Sequence, residues 1–239
     1  MISFIIPSRN EEKVIEKILR CVCRYTGPKE IIVSDGGSSD KTIAIARRYA
    51  DKVIVHQDTK RQTIAGGRNA GAAVATGDFF VFLDSDDYIK DTNYFFTKAL
   101  SRFENDKKLI GLTVALRVLP EMETLADRII FKFMNFLSYF YNNIIHYCGA
   151  PGEFQMVRAE AFKQVNGYDE RLVASEDYDF FRRIGKIGKA RYDGSLTIYH
   201  TGRHAHKLGW PKLLWIWWKN FSSVIFLKKS FSAEWEEIR

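Results

Sequence analysis

Asp84-Ser85-Asp86 follows directly on the apolar run Phe79-Phe80-Val81-Phe82-Leu83, so two carboxylates emerge where a buried strand is expected to end. Hard divalent cations take such oxygens, and Mg2+ or Mn2+ on one or two carboxylates completes its shell with substrate phosphates. An acidic turn or a helix cap would use the same residue types, so the pair alone does not choose. In Asp35-Gly36-Gly37-Ser38-Ser39-Asp40, glycines admit close backbone approach and a following helix N-terminus favours anions. Asp35 can accept from a base N–H or a ribose hydroxyl, while Ser39 or Asp40 capping a helix is the plainer use of the same segment. Glu176-Asp177-Tyr178-Asp179 heads a helical pattern continued by Phe180, Phe181, Ile184 and Ile187. Carboxylates there either stabilise the helix through its dipole or supply a general base for an acceptor hydroxyl. Gly66-Gly67-Arg68-Asn69-Ala70-Gly71 offers one guanidinium suited to a diphosphate or a base edge, without P-loop or GxGxxG spacing. His200, His204 and His206, beside Arg203 and Lys207, suit a metal shell, a diphosphate or a basic surface loop equally well.

For these groups to meet, the elements before them must deliver them to one edge. Residues 2–6, 30–34, 52–56 and 78–83 are short apolar runs, with helical patterns at 14–22, 42–49 and 64–76 between them. That βαβα rhythm, with strands continuously apolar rather than alternating, predicts a mostly parallel sheet covered on both faces. Ligands of such sheets bind beyond the carboxyl ends of the strands. Pro7-Ser8-Arg9-Asn10-Glu11, the Asp35 segment and the Asp84 segment all stand there. After a strand at 109–119, a helix is predicted from about 125 to 147, then a break at Gly149-Ala150-Pro151-Gly152 and a mixed segment to about His200. The uncharged stretch from Phe133 to Tyr147 is interrupted by Asn135, Ser138, Asn142 and Asn143. It falls short of the ~20 apolar residues that span a bilayer, so an amphipathic helix is expected. A second such helix, 210–227, sets Trp215, Trp217, Trp218, Phe221 and Phe226 among Lys212, Lys219 and Lys228, the mixture of an interfacial helix.

With 239 residues, 46% of them hydrophobic, the chain can bury a sizeable core without disulfides or structural metal. Cys21, Cys23 and Cys148 match neither a disulfide framework nor a zinc knuckle, and no signal peptide is read at the N-terminus. The expected location is therefore the cytoplasm, with the inner face of the cell membrane as an alternative. The net charge of +7 concentrates in the last third, at residues such as Lys186, Arg203, Lys212, Lys219 and Lys229. Such a surface attracts phosphates or anionic lipid, and no nucleic-acid module accompanies it.

Taken together and in order, Ile6-Pro7-Ser8-Arg9-Asn10-Glu11, Val33 through Asp40, Gly67-Arg68-Asn69-Ala70-Gly71, Leu83-Asp84-Ser85-Asp86 and Ser175-Glu176-Asp177-Tyr178-Asp179 resemble the family 2 glycosyltransferases. The resemblance covers residues 2 to 205. It implies a single-domain glycosyltransferase A fold, a nucleotide-sugar donor, Mn2+ or Mg2+, inversion at the anomeric carbon and an acceptor on a glycan or lipid. The division expected is a transferase domain at 1–205, with a nucleotide-sugar half at 1–105 and an acceptor half at 106–205, followed by an amphipathic helical extension at 206–239. By the family pattern Pro7, Ser8, Arg9, Glu11, Gly36 and Ser85 line the nucleotide-sugar pocket, Asp35 meets the base, and Arg68 the base or diphosphate. Asp84 meets the donor, Asp86 ligates the metal with Asp84 and His200 as further ligands, and Asp177 with Glu176 supplies the base. Gly152, Glu153 and Phe154 line the acceptor site. The chain departs from the commonest pattern in lacking an aromatic residue before Asn10 and in carrying Gly37, changes that bear on the choice of nucleotide. A polyprenyl phosphate acceptor and a catalytically inactive binding module are the competing expectations. The intact Glu176-Asp177 pair favours a hydroxyl acceptor, since a phosphate needs no base.

Overall fold

The computed structural model describes residues 1–227 and 229–232. Lys228, and the part of the expected extension beyond 232, lie outside them. In chain order the elements are β1 (Ile2–Ser8), α1 (Ile15–Cys23), β2 (Lys29–Asp35), α2 (Thr42–Ala46), β3 (Lys52–Val55), α3 (Ile64–Ala73), β4 (Phe79–Leu83) and α4 (Thr92–Asn105). There follow β5 (Leu109–Val118), α5 (Leu125–Tyr139) with a π turn at Phe140–Ile144, β6 (Phe154–Arg158) and α6 (Ala159–Gln164). The last are α7 (Glu176–Ile187), β7 (Lys189–His200), α8 (Arg203–Leu208) and α9 (Trp210–Leu227).

The strands form one sheet in the order β3-β2-β1-β4-β6-β5-β7. β6 runs antiparallel to both its neighbours, and every other pairing is parallel. Side chains alternate across the sheet. Phe4 and Ile6 therefore enter a core under α1 and α4, while Ile5 enters a second core with Phe80, Phe82, Phe180 and Phe181. Two buried faces explain why the strands are continuously apolar.

α1 has one buried stripe, Ile15, Ile18, Leu19 and Val22. α3 starts at a capping residue, the Thr63 hydroxyl accepting from the Gly66 N–H at 3.0 Å. Its glycines serve packing: a Cβ on Gly71 would stand 2.5 Å from Ile5 Cγ2, so only a bare helix face lies this close to β1.

α5 ends earlier than the expected 147. Asn142 is fully buried, and its amide donates to the Ser138 and Gly149 carbonyls at 2.8 Å each. That side chain ties the helix end to the following break and takes the place of the next backbone turn. α9 occupies the expected residues, and its first turn is part of the main core: Trp210 and Leu213 are buried there beside Phe131 of α5. The Trp210 indole donates to Asp127 Oδ1 at 2.8 Å, fixing α9 against α5.

Candidate active site

The chain leaves β1 for β2 on one side, while β4 flanks β1 on the other, so the crevice beyond β1 and β4 is the topological switch point of the sheet. The loops after β1 and β4 meet there: the Ser85 hydroxyl donates to the Pro7 carbonyl at 2.8 Å. One cavity of about 1290 Å³ opens at this edge. Pro7, Ser8, Arg9, Glu11 and Gly36 line it on the side of β1 and β2. Asp84, Ser85, Asp86, Arg68, Gly152, Glu153, Glu176, Asp177 and His200 line its middle. Helices α5 and α9 wall the far end with Phe133, Met134, Trp217, Phe221 and Val224.

Arg68 is the hub of the middle. It is 2% exposed, donates to Glu176 Oε1 at 2.8 Å and to both Asp84 Oδ1 and the Gly152 carbonyl at 3.1 Å, and lies over the Tyr168 ring. A side chain on Gly152 would collide with it, a Cβ there falling 2.5 Å from Nη2. Arg68, expected at the base or diphosphate, lines the cavity with its two Nη groups holding Asp84, Gly152 and the head of α7 in one frame.

The Asp84 and Asp86 pair sits in a turn built by Asp87, whose fully buried carboxyl accepts from the Asp84 N–H at 2.7 Å. Burial, reinforced by the charges of Asp84 and Asp86, pushes Asp87 well above the usual carboxylate range, so it stays neutral. Burial opposes ionisation of Asp86 too, but Arg203 with Nε at 3.4 Å and the Thr201 hydroxyl hold its carboxyl below the usual value. Arg203 also forks onto Glu11 at 2.7 and 2.8 Å, bridging the start of α8 to the loop after β1.

α7 begins at Ser175, a non-glycine residue at φ 61, a left-handed conformation that turns the chain sharply to aim Glu176 and Asp177 into the cavity. Gln155 of β6 holds the turn, donating to the Ala150 and Asp177 carbonyls at 2.9 and 3.0 Å, and is itself fixed by the Tyr168 hydroxyl at 2.6 Å. Burial raises Asp177 to about 6, with Arg68 opposing. Burial and then the Asp177 charge raise Glu176 to about 8, and burial and then Asp84 raise Glu153 to about 8. Of these neighbours Asp177 ionises first.

Three further expected site residues are held largely by the protein itself. Asp35 does not line the cavity: its fully buried carboxylate accepts from Ser8, from the Gly37 N–H and from both the N–H and the hydroxyl of Ser38, which fills its oxygens. These bonds shape the loop after β2. Phe154 points into the core, fully buried, its ring 5.3 Å from that of Phe95. Its neighbours in the motif, Gly152 and Glu153, lie in the loop before β6 and do line the cavity. His200 is buried with Nδ1 accepting from the Gly202 N–H at 3.1 Å, and burial lowers its pKa. Its Nε2 is buried with no hydrogen-bond partner among the described residues.

Sequence reasoning assigned no role to Asp87, Gln155, Tyr168 or Thr201, and left Arg203 undecided in its basic loop. Arg203 carried a usable signal, since it lies three residues past the end of β7 on the same polar edge as Asp84.

The sequence model of glycosyl transferase family 2 matches residues 3–165. The chain belongs to the family 2 glycosyltransferases. A PGL/p-HBAD biosynthesis glycosyltransferase of Mycobacterium bovis is 36% identical over 98 residues, covering 39% of this chain and 38% of the relative. Succinoglycan biosynthesis protein ExoA of Rhizobium meliloti is 28% identical over 219 residues, 86% of this chain and 65% of ExoA. Each match thus spans less than two thirds of the relative. Among solved structures, the mannosyltransferase PcManGT from Pyrobaculum calidifontis, in complex with GDP-Man and Mn2+, superposes with a TM-score of 0.69 at 20% identity, over 87% of this chain and 60% of that one. That likeness shows a shared fold.

Proposed function

We propose that the chain transfers a hexose from a UDP- or GDP-sugar to an acceptor hydroxyl with inversion at the anomeric carbon, using Mn2+ or Mg2+. The observation that carries this reading is the convergence of the Asp84 and Asp86 carboxylates with Asp177 in one cavity at the switch point of the sheet. In this reading Pro7, Ser8, Arg9, Glu11 and Gly36 receive the nucleotide, Asp84 and Ser85 orient the donor sugar, and Gly152 and Glu153 receive the acceptor. The Asp84 and Asp86 donor set suits a hard cation, being two carboxylates open to the cavity. Among the described residues no group of three His, Cys, Asp or Glu side chains forms a ready-made metal shell, which suits an ion that draws its remaining ligands from donor phosphates and water. When bound, the cation neutralises charge on the departing diphosphate.

Asp177 supplies the base. As the acceptor oxygen attacks the sugar C1 and the bond from C1 to the diphosphate oxygen breaks, the hydroxyl proton passes to the Asp177 carboxylate. Raised to about 6, that group is ionised at neutral pH yet more basic than an ordinary aspartate. A single displacement of this kind inverts the configuration at C1. Asp177→Asn is expected to cut turnover by at least ~100-fold while leaving donor binding near normal. Near-normal transfer by that variant would remove the assignment. Donor hydrolysis by the parent chain with Mn2+, abolished by chelation, separates this reading from an inactive binding module.

A further inference from the structure

The cavity as a whole is larger than one drug-sized ligand needs. Drug-sized ligands occupy roughly 300–1,000 Å³, and the continuous space here is about 1290 Å³, running from the carboxylates to a trough between α5 and α9. On α5 and the π turn that continues it, Leu125, Ile129, Phe133, Phe136 and Phe140 recur three or four residues apart, each between 41% and 71% exposed. On α9, Leu214, Trp218 and Phe221 make a matching stripe, with Trp215 stacked on Trp218 at 5.0 Å and Phe226 81% exposed. The hydrogen bond from Trp210 to Asp127 and the contact of the Trp210 and Phe131 rings at 5.5 Å lock the two helices side by side. This is a contiguous aromatic surface, and a soluble monomer rarely exposes one without a partner.

We propose that α5 and α9 form a docking surface for the anionic face of a lipid bilayer, and that the trough between them admits the hydrocarbon part of a lipid-borne acceptor whose hydroxyl reaches Asp177; the second clause rests on the reaction proposed above. Charge selects the bilayer. The charged side chains on the exposed faces of the two helices are Arg128, Lys132, Lys212 and Lys219, all positive, while their one acidic residue, Asp127, is fully buried. A second copy of the chain docking through the same face would set these cations against their own counterparts, whereas anionic headgroups neutralise them. Lys219 extends over the Trp215 ring at 5.1 Å, an amphipathic pairing at home at the headgroup level. Among the described residues no helix is long and apolar enough to cross a membrane, so the helices lie on the surface. Docked this way, the mouth of the cavity faces the lipid.

The test is sedimentation of the chain with phosphatidylcholine vesicles, plain or carrying roughly one third phosphatidylglycerol. The variant combines Trp215→Ser, Phe226→Ser, Phe136→Ser and Phe140→Ser, four exposed positions that line none of the cavity. Circular dichroism and donor hydrolysis verify that it remains folded and competent. The parent is expected to partition onto anionic vesicles and not onto plain ones, and the variant to lose at least about tenfold of that partitioning. Absence of binding, equal binding of both vesicle types, or unchanged binding by the folded variant overturns the docking surface. So does a stable dimer in sedimentation velocity that the same four substitutions dissociate. Vesicle binding without donor hydrolysis would leave the docking surface standing and reject the catalytic reading, so the two fail separately. For the acceptor clause, Val224→Trp, which fills the trough, should raise KM for a long-chain lipid acceptor while leaving vesicle binding and KM for the donor unchanged. An unchanged lipid KM in that variant overturns the clause.

Discussion

Replacing Arg68 with methionine removes the cation that holds the site together while keeping most of its volume. Arg68 is 2% exposed, and burial disfavours its charge, but Asp84, Tyr168 and Glu176 more than offset that and keep it firmly protonated. The contact with Glu176 at 2.8 Å serves that carboxyl whether ionised or protonated, and with Glu176 raised to about 8 it is mostly protonated at pH 7. The charge pair that counts there is Arg68 with Asp84, whose side chain keeps 35% exposure. Breaking a buried pair costs about 3–5 kcal/mol, and screening of the half-open Asp84 argues for about 3 kcal/mol. For a domain of this size each kcal/mol moves the midpoint by about 2–4 °C, so Arg68→Met should melt about 6–12 °C below the parent in scanning calorimetry at pH 7. Because Arg68 also lowers Asp177, the acid limb of the pH-rate profile should move to higher pH in the variant. Arg68→Lys keeps the charge but not the fork, and should fall between parent and Arg68→Met on both readouts. A melting point for Arg68→Met within about 2 °C of the parent, with the acid limb unmoved, would refute the view that Arg68 frames the carboxylates.

The parent profile itself should rise with pH through about 6, since the base works only when Asp177 is deprotonated; a flat kcat between pH 5 and 8 would count against Asp177. Far from the site, burial alone would raise Glu30, but hydrogen bonds from Lys52, Ser3 and Thr76 bring its pKa down to about 2 from 4.5. A depressed carboxylate adds stability above its unfolded pKa and loses it as pH falls toward the folded one, so about 3 kcal/mol present at pH 6 should shrink by about 2 kcal/mol at pH 3. Denaturant melts of Glu30→Gln should therefore show a smaller loss between those two pH values than the parent, and equal losses would contradict the assignment. Gly71→Ala should cost about 1–3 kcal/mol by driving α3 off β1, read as a lower denaturant midpoint; an unchanged midpoint would mean that the helix shifts freely.

What the sequence discloses of this protein depends on how local the determining physics is. The strands β1, β2 and β4 are legible because both faces are buried, which leaves an apolar run with nothing to imitate it. Asp84 and Asp86 are legible because a strand must end before polar residues begin, and the end of a parallel strand is where ligands bind. By contrast, β6 reads as part of a mixed segment, since Phe154–Arg158 gains its strand identity only by pairing antiparallel with β4 and β5 across the sheet. The same non-locality governs the intramolecular partners of the site's side chains. Whether Arg68 faces a diphosphate or two carboxylates is decided by Glu176, 108 residues away, and by the bare Gly152 backbone beside it. Whether Asp35 is free for a ligand is decided by Ser8 on the neighbouring strand, 27 residues earlier. A carboxylate or guanidinium in a motif announces a charge to be satisfied, and the partner that satisfies it comes from the fold. Residues whose role is to satisfy others, such as Asp87 and Gln155, therefore carry no motif of their own, and they emerge only once the strands that bring them together are in place.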